Sequence, residues 1–271
     1  MNNIKKLLSV GVGIVIAIQL VPVYFVITNS FKDKPQYLES VYNLPLSPTF
    51  SNYAKLLREF NFPQMFLNSL ILTVSSVVIC AYLGSMAAFA IGKFKFKGRI
   101  LVINMILPLM SIPSIVLLIP LFVQFSKLGL TNSFLPPILI YIGLILPFTI
   151  NILYSFMTSI PSSLLEAATI DGCGFFRMYH KITLPLILPG LSAATIVNSM
   201  WIWNEMIIAF VFLQNESKRT LIIGLTSLQG LYNLDVSLLM AGAAVASLPI
   251  ICLYIFSQKW FIRGLTAGGI K

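Results

Sequence analysis

Long apolar runs, separated by short polar segments, set the pattern of this chain. A helix needs about 20 mainly apolar residues to cross the hydrocarbon core of a bilayer. Stretches of that kind run over about 7–28, 66–92, 100–125, 134–156, 186–213 and 238–262. They predict an all-α integral membrane protein, a polytopic bundle of about six transmembrane helices. With little chain left for an aqueous domain, one membrane domain is expected over 1–271, with its core at about 66–262. The first stretch follows Lys5 and Lys6. Its apolar run is longer than the roughly 7–15 residues of a signal peptide, and no small-x-small cleavage site closes it, so a retained helix is expected.

Composition sharpens this picture. The chain is 58% hydrophobic and 10% charged, with a mean hydropathy of +0.92. A soluble domain carries roughly 25% charged residues, so the deficit points to a lipid-facing surface. The net charge of +10 does not imply nucleic acid, because the basic residues sit in short segments between apolar runs. With a cytoplasmic N-terminus, the inside segments hold 11 Lys and Arg and the outside segments 7. The compact turn Lys93-Phe94-Lys95-Phe96-Lys97-Gly98-Arg99 weighs most, since charge in short loops sets topology. A multi-pass protein of the cytoplasmic (inner) membrane with both termini in the cytoplasm is predicted. Cys80 and Cys252 fall in apolar spans and Cys173 in a cytoplasmic loop, so no disulfide framework follows. The lone histidine, His180, has no ligand-spaced neighbours, and no metal site is expected.

Proline interrupts several spans: Pro22, Pro147 and Pro249 singly, and Pro108, Pro113 and Pro120 in the third. Each removes a backbone donor, and the freed carbonyls need partners inside the bundle. Three in one span predict a broken helix beside a cavity.

The longest inside connection, about 157–185, reads MTSIPSSLLEAATIDGCGFFRMYHKITLP. Pro161 suits a first helical turn, and Ser163 with Glu166 has the spacing of a capping box. Gly172 and Gly174 are expected to end that helix, and a second amphipathic turn runs from Phe175 to Ile182 before Pro185 opens the next span. An ordered apolar knob in the cytoplasm predicts a docking surface.

Glu166-Ala167-Ala168, three residues, Gly172, nine residues, Ile182, one residue, Leu184-Pro185 resembles the complete EAA motif of ABC importer permeases. The resemblance implies a coupling-helix loop that docks into a cleft of a cytoplasmic ATPase. Glu166, Ala167, Ala168 and Gly172 would form the core of the contact, with Asp171, Ile182, Leu184 and Pro185 completing the coupling set. Leu67-Asn68-Ser69 is similar to the start of the shared core of these permeases. Trp203-Asn204-Glu205 and the segment from Lys259 to Gly268 resemble the carbohydrate-importer branch, in its six-helix, maltose-transporter-type second permease. The implied partners are a second permease in a heterodimer, two cytoplasmic ATPase subunits, an extracytoplasmic solute-binding protein and membrane lipid. The loop at about 214–235 is implied to approach that binding protein. No cofactor is expected on this chain. It has no Gly-x-x-x-x-Gly-Lys-Ser/Thr loop, so ATP would be bound and hydrolysed by the separate ATPase, and the chain itself is not read as an enzyme.

Glu205 is the only acid inside a predicted span, and an ionisable group in lipid should face the bundle interior with a partner. At helical spacing it shares a face with Ala194, Asn198 and Trp201. Asn198, Trp201, Asn204 and Glu205 are the candidate substrate-path residues, since aromatic rings beside amide and carboxylate groups suit a sugar. Helix–helix hydrogen bonding is the competing reading. At the level of function the alternatives are an ABC permease for another solute, such as a glycerol phosphate or a peptide, and an ion-coupled secondary transporter. A phosphate would favour Arg or Lys in the path, and the spans contain none short of Lys259 at the cytoplasmic end of the last. Ion coupling needs intramembrane ionisable groups and often inverted repeats; one acid and no evident repeat argue against it.

Overall fold

A computed structural model of the chain describes residues 2–228 and 235–269, with the backbone alone for 2–5, 7, 8 and 259–269. Every regular element among the described residues is helical. In chain order these are α1 (Asn2–Ser30), α2 (Lys34–Glu39), α3 (Ser51–Glu59), α4 (Phe62–Lys93), α5 (Arg99–Met110), α6 (Ser114–Lys127) and α7 (Leu135–Ser159). There follow α8 (Ser162–Ile170), α9 (Phe175–Met178), a π-helical turn at Tyr179–Thr183, α10 (Leu184–Leu186), α11 (Leu188–Asn204), α12 (Ile207–Phe212), α13 (Leu221–Ser227) and α14 (Val236–Gly269).

Four helices are long and apolar enough to cross a membrane unbroken: Ser9–Ser30, Phe62–Lys93, Leu135–Ser159 and Val236–Gln258. Two bent pairs bring the number to as many as six among the described residues. The third predicted span is broken, as its prolines foretold. α5 and α6 meet at 97°, with Pro113 in extended backbone at the start of α6. Proline excludes its predecessor from the helical region, so the ladder stops at Ile112. The fifth predicted span, 186–213, differs from the expectation of one helix. α11 ends at Asn204, and α12 starts anew at Ile207 after Glu205 turns to extended backbone. A second bend, of 77°, falls at Ile187, between α10 and α11, where Pro185 and Pro189 flank the joint.

The chain forms two compact units. The first comprises 1–66 and 221–248, the second 67–220 and 249–271. In the first unit, polar side chains organise the segment after α1. The Asp33 carboxylate accepts the Gln36 N–H at 3.0 Å and caps α2, with Pro35 in the first turn, where a missing donor costs nothing. The buried Asn52 donates to the carbonyls of Ser30 and Lys32 at 3.0 and 2.8 Å, and Tyr53 donates to Ser30 Oγ at 2.7 Å. Close helix approach in this unit depends on Gly224, where an added methyl would lie 2.3 Å from Met65 Sδ.

In the second unit, α7 is the central strut. It packs against α5, α11 and α12, and Ile140, Tyr141, Ile145, Thr149, Leu153 and Met157 are buried along it. Glycines set the spacing to its neighbours. A methyl on Gly84 would stand 2.7 Å from Thr149, one on Gly92 2.8 Å from Met157, and one on Gly190 2.4 Å from the Phe156 ring. Such small-residue contacts bring membrane helices close enough for dispersion and interhelical hydrogen bonds to hold them.

Candidate functional site

Two sets of residues singled out from sequence lie in the second unit. The first is the 157–185 loop. Its helix starts at Ser162, with Pro161 as the residue before it, and no side chain caps the first turn. The expected capping box of Ser163 and Glu166 is therefore not formed: Ser163 lies inside the helix, two residues past the capping position that Pro161 holds. The end of α8 is as expected at Gly172, which has φ +74°. Cys173 N–H reaches the Ala168 carbonyl at 2.9 Å, and Gly172 N–H the Thr169 carbonyl at 3.0 Å, a paired closure that needs a left-handed residue between them. Nothing lies within 4 Å of a methyl placed on Gly172, so backbone conformation rather than space accounts for the glycine. Gly174 does not share in ending α8; its φ is −71° and it opens α9 instead.

One side of this loop is fixed to the bundle. Leu165, Ala168, Met178, Tyr179 and Ile187 are buried with Ala88 and Phe89 of α4 and Leu153 and Met157 of α7, and Ile182 and Leu184 pack against the same cluster. Phe89, Phe94 and Phe175 close a ring cluster with centroids 5.0–5.3 Å apart. Tyr179 Oη and Ser85 Oγ share a hydrogen bond of 2.6 Å, Lys93 Nζ donates to the Ile160 carbonyl, and Arg99 Nε reaches the Ile91 carbonyl at 2.6 Å. The other side is bare: Glu166, Ala167 and Asp171 are exposed, as are Leu164, Phe176 and Pro185, and Ile170 is 87% exposed. Of the three residues of the Glu-Ala-Ala signature, then, Glu166 and Ala167 face outward, while Ala168 is 5% exposed and faces the cluster.

The second set surrounds the turn from α11 to α12. Asn198 is buried and donates to Thr149 Oγ1 at 2.8 Å; that hydroxyl in turn donates to the Ile145 carbonyl at 2.9 Å. Trp201 is half exposed and meets Tyr141 edge-on, with centroids 6.0 Å apart. Asn204 is exposed, its amide donating back to the Met200 carbonyl at 2.7 Å. Glu205 leaves the predicted helix face, because its carboxylate holds the break itself. It accepts the N–H groups of Ile208 (3.0 and 3.1 Å) and Ala209 (3.3 Å) and the Tyr141 hydroxyl (2.7 Å). These are donors that a new helix leaves without intrahelical partners, and a carboxylate suits the positive end of that helix. Tyr141 and Thr149 were not singled out from sequence. The signal available was a hydroxyl in an otherwise apolar span, which does not reveal its partner.

The structure brings Asn198 and Trp201 together and leaves Asn204 apart. Asn198 and Trp201 border a cavity of about 270 Å³ with Met110, Ile112 and Ser114 at the α5–α6 break and Phe148 of α7. The cavity expected beside the proline-broken span is thus present. Its lining is mainly apolar and aromatic, with an amide and a hydroxyl at its edge, and it can receive a small solute with mixed apolar and hydrogen-bonding faces. The side chains of Lys259–Gly268, and part of the 214–235 loop, lie outside the described residues.

Comparison with known proteins agrees with this architecture. The family model described as "Binding-protein-dependent transport system inner membrane component" matches residues 81–267. The "Putative ABC transporter permease protein ORF2" of Caldicellulosiruptor sp. (strain Rt8B.4) is 39% identical, over 93% of this chain and 91% of its own. The "Diacetylchitobiose uptake system permease protein NgcG" of Streptomyces coelicolor is 33% identical, over 94% of this chain and 85% of its own. Among solved structures, a chain of a bacterial ABC transporter involved in the import of the acidic polysaccharide alginate superposes with a TM-score of 0.84. It is 24% identical in sequence, over 96% of this chain and 97% of that one.

Proposed function

We propose, from the premise that this chain belongs to the family of binding-protein-dependent transport system inner membrane components, that the solute it helps to import is a sugar or oligosaccharide. The chain is a membrane-embedded permease subunit of an ABC importer. The diacetylchitobiose permease among its relatives supports a saccharide, and so does the Asn198 and Trp201 cavity, whose ring and amide suit the apolar faces and hydroxyl rim of a sugar. In this reading 1–271 works as one permease domain with both termini in the cytoplasm. It pairs with a second permease, and two ATPase subunits bind ATP beneath the pair.

The observation that carries the coupling role is the division of the 157–185 loop into two sides. Its inner side is packed on α4 and α7, and its outer side bears Leu164, Ala167 and Ile170 on α8. An exposed apolar face of that kind marks an interaction site. Glu166 and Asp171 give its rim an acidic edge; Gly172 shapes the turn, and Ala168, Ile182 and Leu184 bond the knob to the bundle. Closure of the ATPase pair on nucleotide would push this knob, and the knob cannot yield without moving the ends of α4 and α7. That displacement biases the bundle between inward- and outward-facing states. Moving such a balance from 1:99 to 99:1 needs about 5.5 kcal/mol of differential binding.

The test is purification of the assembly in mild detergent with mass spectrometry of its components. Wild type should retain a second permease and an ATPase. Ile170→Asp changes only the bare face, and should lose the ATPase while keeping the permease partner. Gly172→Pro cannot adopt φ +74° and should do the same. Wild-type protein that never recovers an ATPase would overturn the coupling role. The solute is tested separately, by supplying labelled oligosaccharides to vesicles with the captured binding protein; transport of peptides or phosphate esters in their place would overturn the sugar assignment.

A further inference from the structure

The segment that follows α1 turns back along the helix it has just left. At the level of the helix end, the buried Lys32 donates from Nζ to Asn29 Oδ1 (3.0 Å) and to the carbonyls of Ser40 (2.9 Å) and Val41 (3.3 Å). One residue later the chain is already lower: the Tyr24 hydroxyl donates to the Tyr42 carbonyl at 2.9 Å, and the Tyr42 ring lies 6.4 Å from that of Phe25. Tyr24 stands six residues before Ser30, about 9 Å along the axis at 1.5 Å per residue. Side chains on a helix lean toward its N-terminus, so the hydroxyl lies no nearer the helix end than its own backbone. By Thr49 the chain has climbed again, and its N–H bonds the Phe31 carbonyl at 2.8 Å.

Residues 40–49 are therefore a loop that descends beside α1 past Ile27, the last apolar residue of the span, and returns. The sequence suits that depth. No charged residue occurs between Glu39 and Lys55. Tyr42, Leu44 and Leu46 are exposed, Leu46 at 89%, and α1 alongside them is apolar and bare. Part of the polar backbone is provided for. Pro45 and Pro48 have no N–H to satisfy, Ser40 Oγ takes the Asn43 N–H, and Gln36 Nε2 donates to the Ser47 carbonyl and hydroxyl at 3.0 and 2.8 Å. Tyrosines at this level match the aromatic belt of a membrane interface.

We propose that residues 40–49 are an interfacial anchor: a loop seated in the headgroup and upper acyl region of the bilayer, with Tyr42, Leu44 and Leu46 in contact with lipid. Lys32 and Tyr24 are the two clasps that hold it at that depth. The occupant is lipid because the loop continues the bare apolar surface of α1 and carries no charge for a water-soluble partner to meet. The inference rests only on α1 crossing the membrane, not on the coupling or solute readings.

Spin labels of known depth test it in the whole complex, reconstituted into phosphatidylethanolamine–phosphatidylglycerol vesicles. In a background with Cys80, Cys173 and Cys252 replaced by alanine, nitroxides are placed by Leu44→Cys and Leu46→Cys. Leu20→Cys, deep in α1, and Lys34→Cys, beyond its end, serve as references. The ratio of collisions with oxygen to collisions with a water-soluble nickel chelate should fall between the two references for both loop labels. It should shift toward the Lys34 reference when Tyr24→Phe releases the clasp. Ratios equal to the Lys34 reference would overturn the anchor in favour of a water-exposed loop. Immobilised labels shielded from both reagents would overturn it in favour of a protein partner.

Discussion

Replacing Glu205 separates two roles that sequence leaves equivalent. Its carboxylate takes the N–H groups of Ile208 and Ala209 and the Tyr141 hydroxyl, all on buried residues. Glu205→Ala leaves the Ile208 N–H and the Tyr141 donor without that acceptor; the Ala209 N–H still faces the Tyr141 oxygen. An orphaned buried donor costs about 1–3 kcal/mol. Glu205 is half-buried and water can reach part of the gap, so the alanine variant should lose about 2–4 kcal/mol. Glu205→Gln keeps one oxygen for Ile208, and the Tyr141 hydroxyl can turn to accept from the new amide. Its loss should be about 1 kcal/mol, the difference between a charged and a neutral acceptor. Thermal unfolding of the purified complex and uptake into vesicles should be measured on the same preparations. The order of stability should be wild type, glutamine, alanine, with uptake following the amount of folded protein. An alanine variant as stable as wild type but without uptake would refute the capping argument and assign the carboxylate to the solute.

Four further outcomes follow from the same geometry. Gly172→Ala should cost about 1–2 kcal/mol, from the left-handed backbone alone, and Gly172→Asn less, as read by thermal unfolding with ATPase retention. Gly190→Ala drives a methyl into the Phe156 ring and should destabilise by about 1–3 kcal/mol; Phe156→Leu in the same chain should recover part of that loss. Asn198→Ala removes one hydrogen bond to a Thr149 hydroxyl that keeps its own acceptor, about 1 kcal/mol, so a larger fall in transport at unchanged protein level would mark Asn198 as solute-facing. Burial pulls the Lys32 pKa below its ordinary value of 10.5. Between the lowered value and 10.5 the unfolded chain binds the extra proton, so Lys32 should make stability rise with pH through that window, and Lys32→Met should reduce the slope.

Much of the architecture was legible because the bilayer imposes few solutions. Apolar length located the spans, and the three prolines of the third announced the α5–α6 break. Gly172 was legible for the same reason, since a glycine after a short helix has one common use. The break at Glu205 was not. Helical spacing carries a pattern forward without knowing where the ladder stops, and what holds the break here is the Glu205 carboxylate, itself met by a hydroxyl on Tyr141, 64 residues away. The failed capping box has a local cause of the same type. Ser163 and Glu166 have the right spacing, but the helix begins at Ser162, and spacing alone does not set the register of a first turn. Which face of α8 is bare was also beyond the sequence: Ala167 and Ala168 are chemically identical neighbours, and packing against Met157 and Tyr179 decides between them.

The breaks in regular helix, legible or not, bear on mechanism. In the second unit, five of the departures from regular helix lie at Ser111–Pro113, Gly172, the π turn at Tyr179–Thr183, Ile187 and Glu205. Each of these adjoins a candidate functional feature: the cavity, the knob, the joint between knob and span, and Tyr141 beside the cavity's Trp201. A straight helix transmits displacement along its axis but cannot redirect it, whereas a bent joint can change angle at the cost of a few dihedrals. The joints at Gly172 and Ile187 bracket a segment packed onto α4 and α7, so under the proposed coupling a push on α8 would reach α11 both through α7, which packs on it, and through Ile187. Gly190 lies against Phe156 just beyond this joint, so a rotation of α11 there would carry its backbone past that ring. A side chain there should impair switching more than folding, and comparing nucleotide-driven conformational change with thermal stability in Gly190→Ala measures the difference.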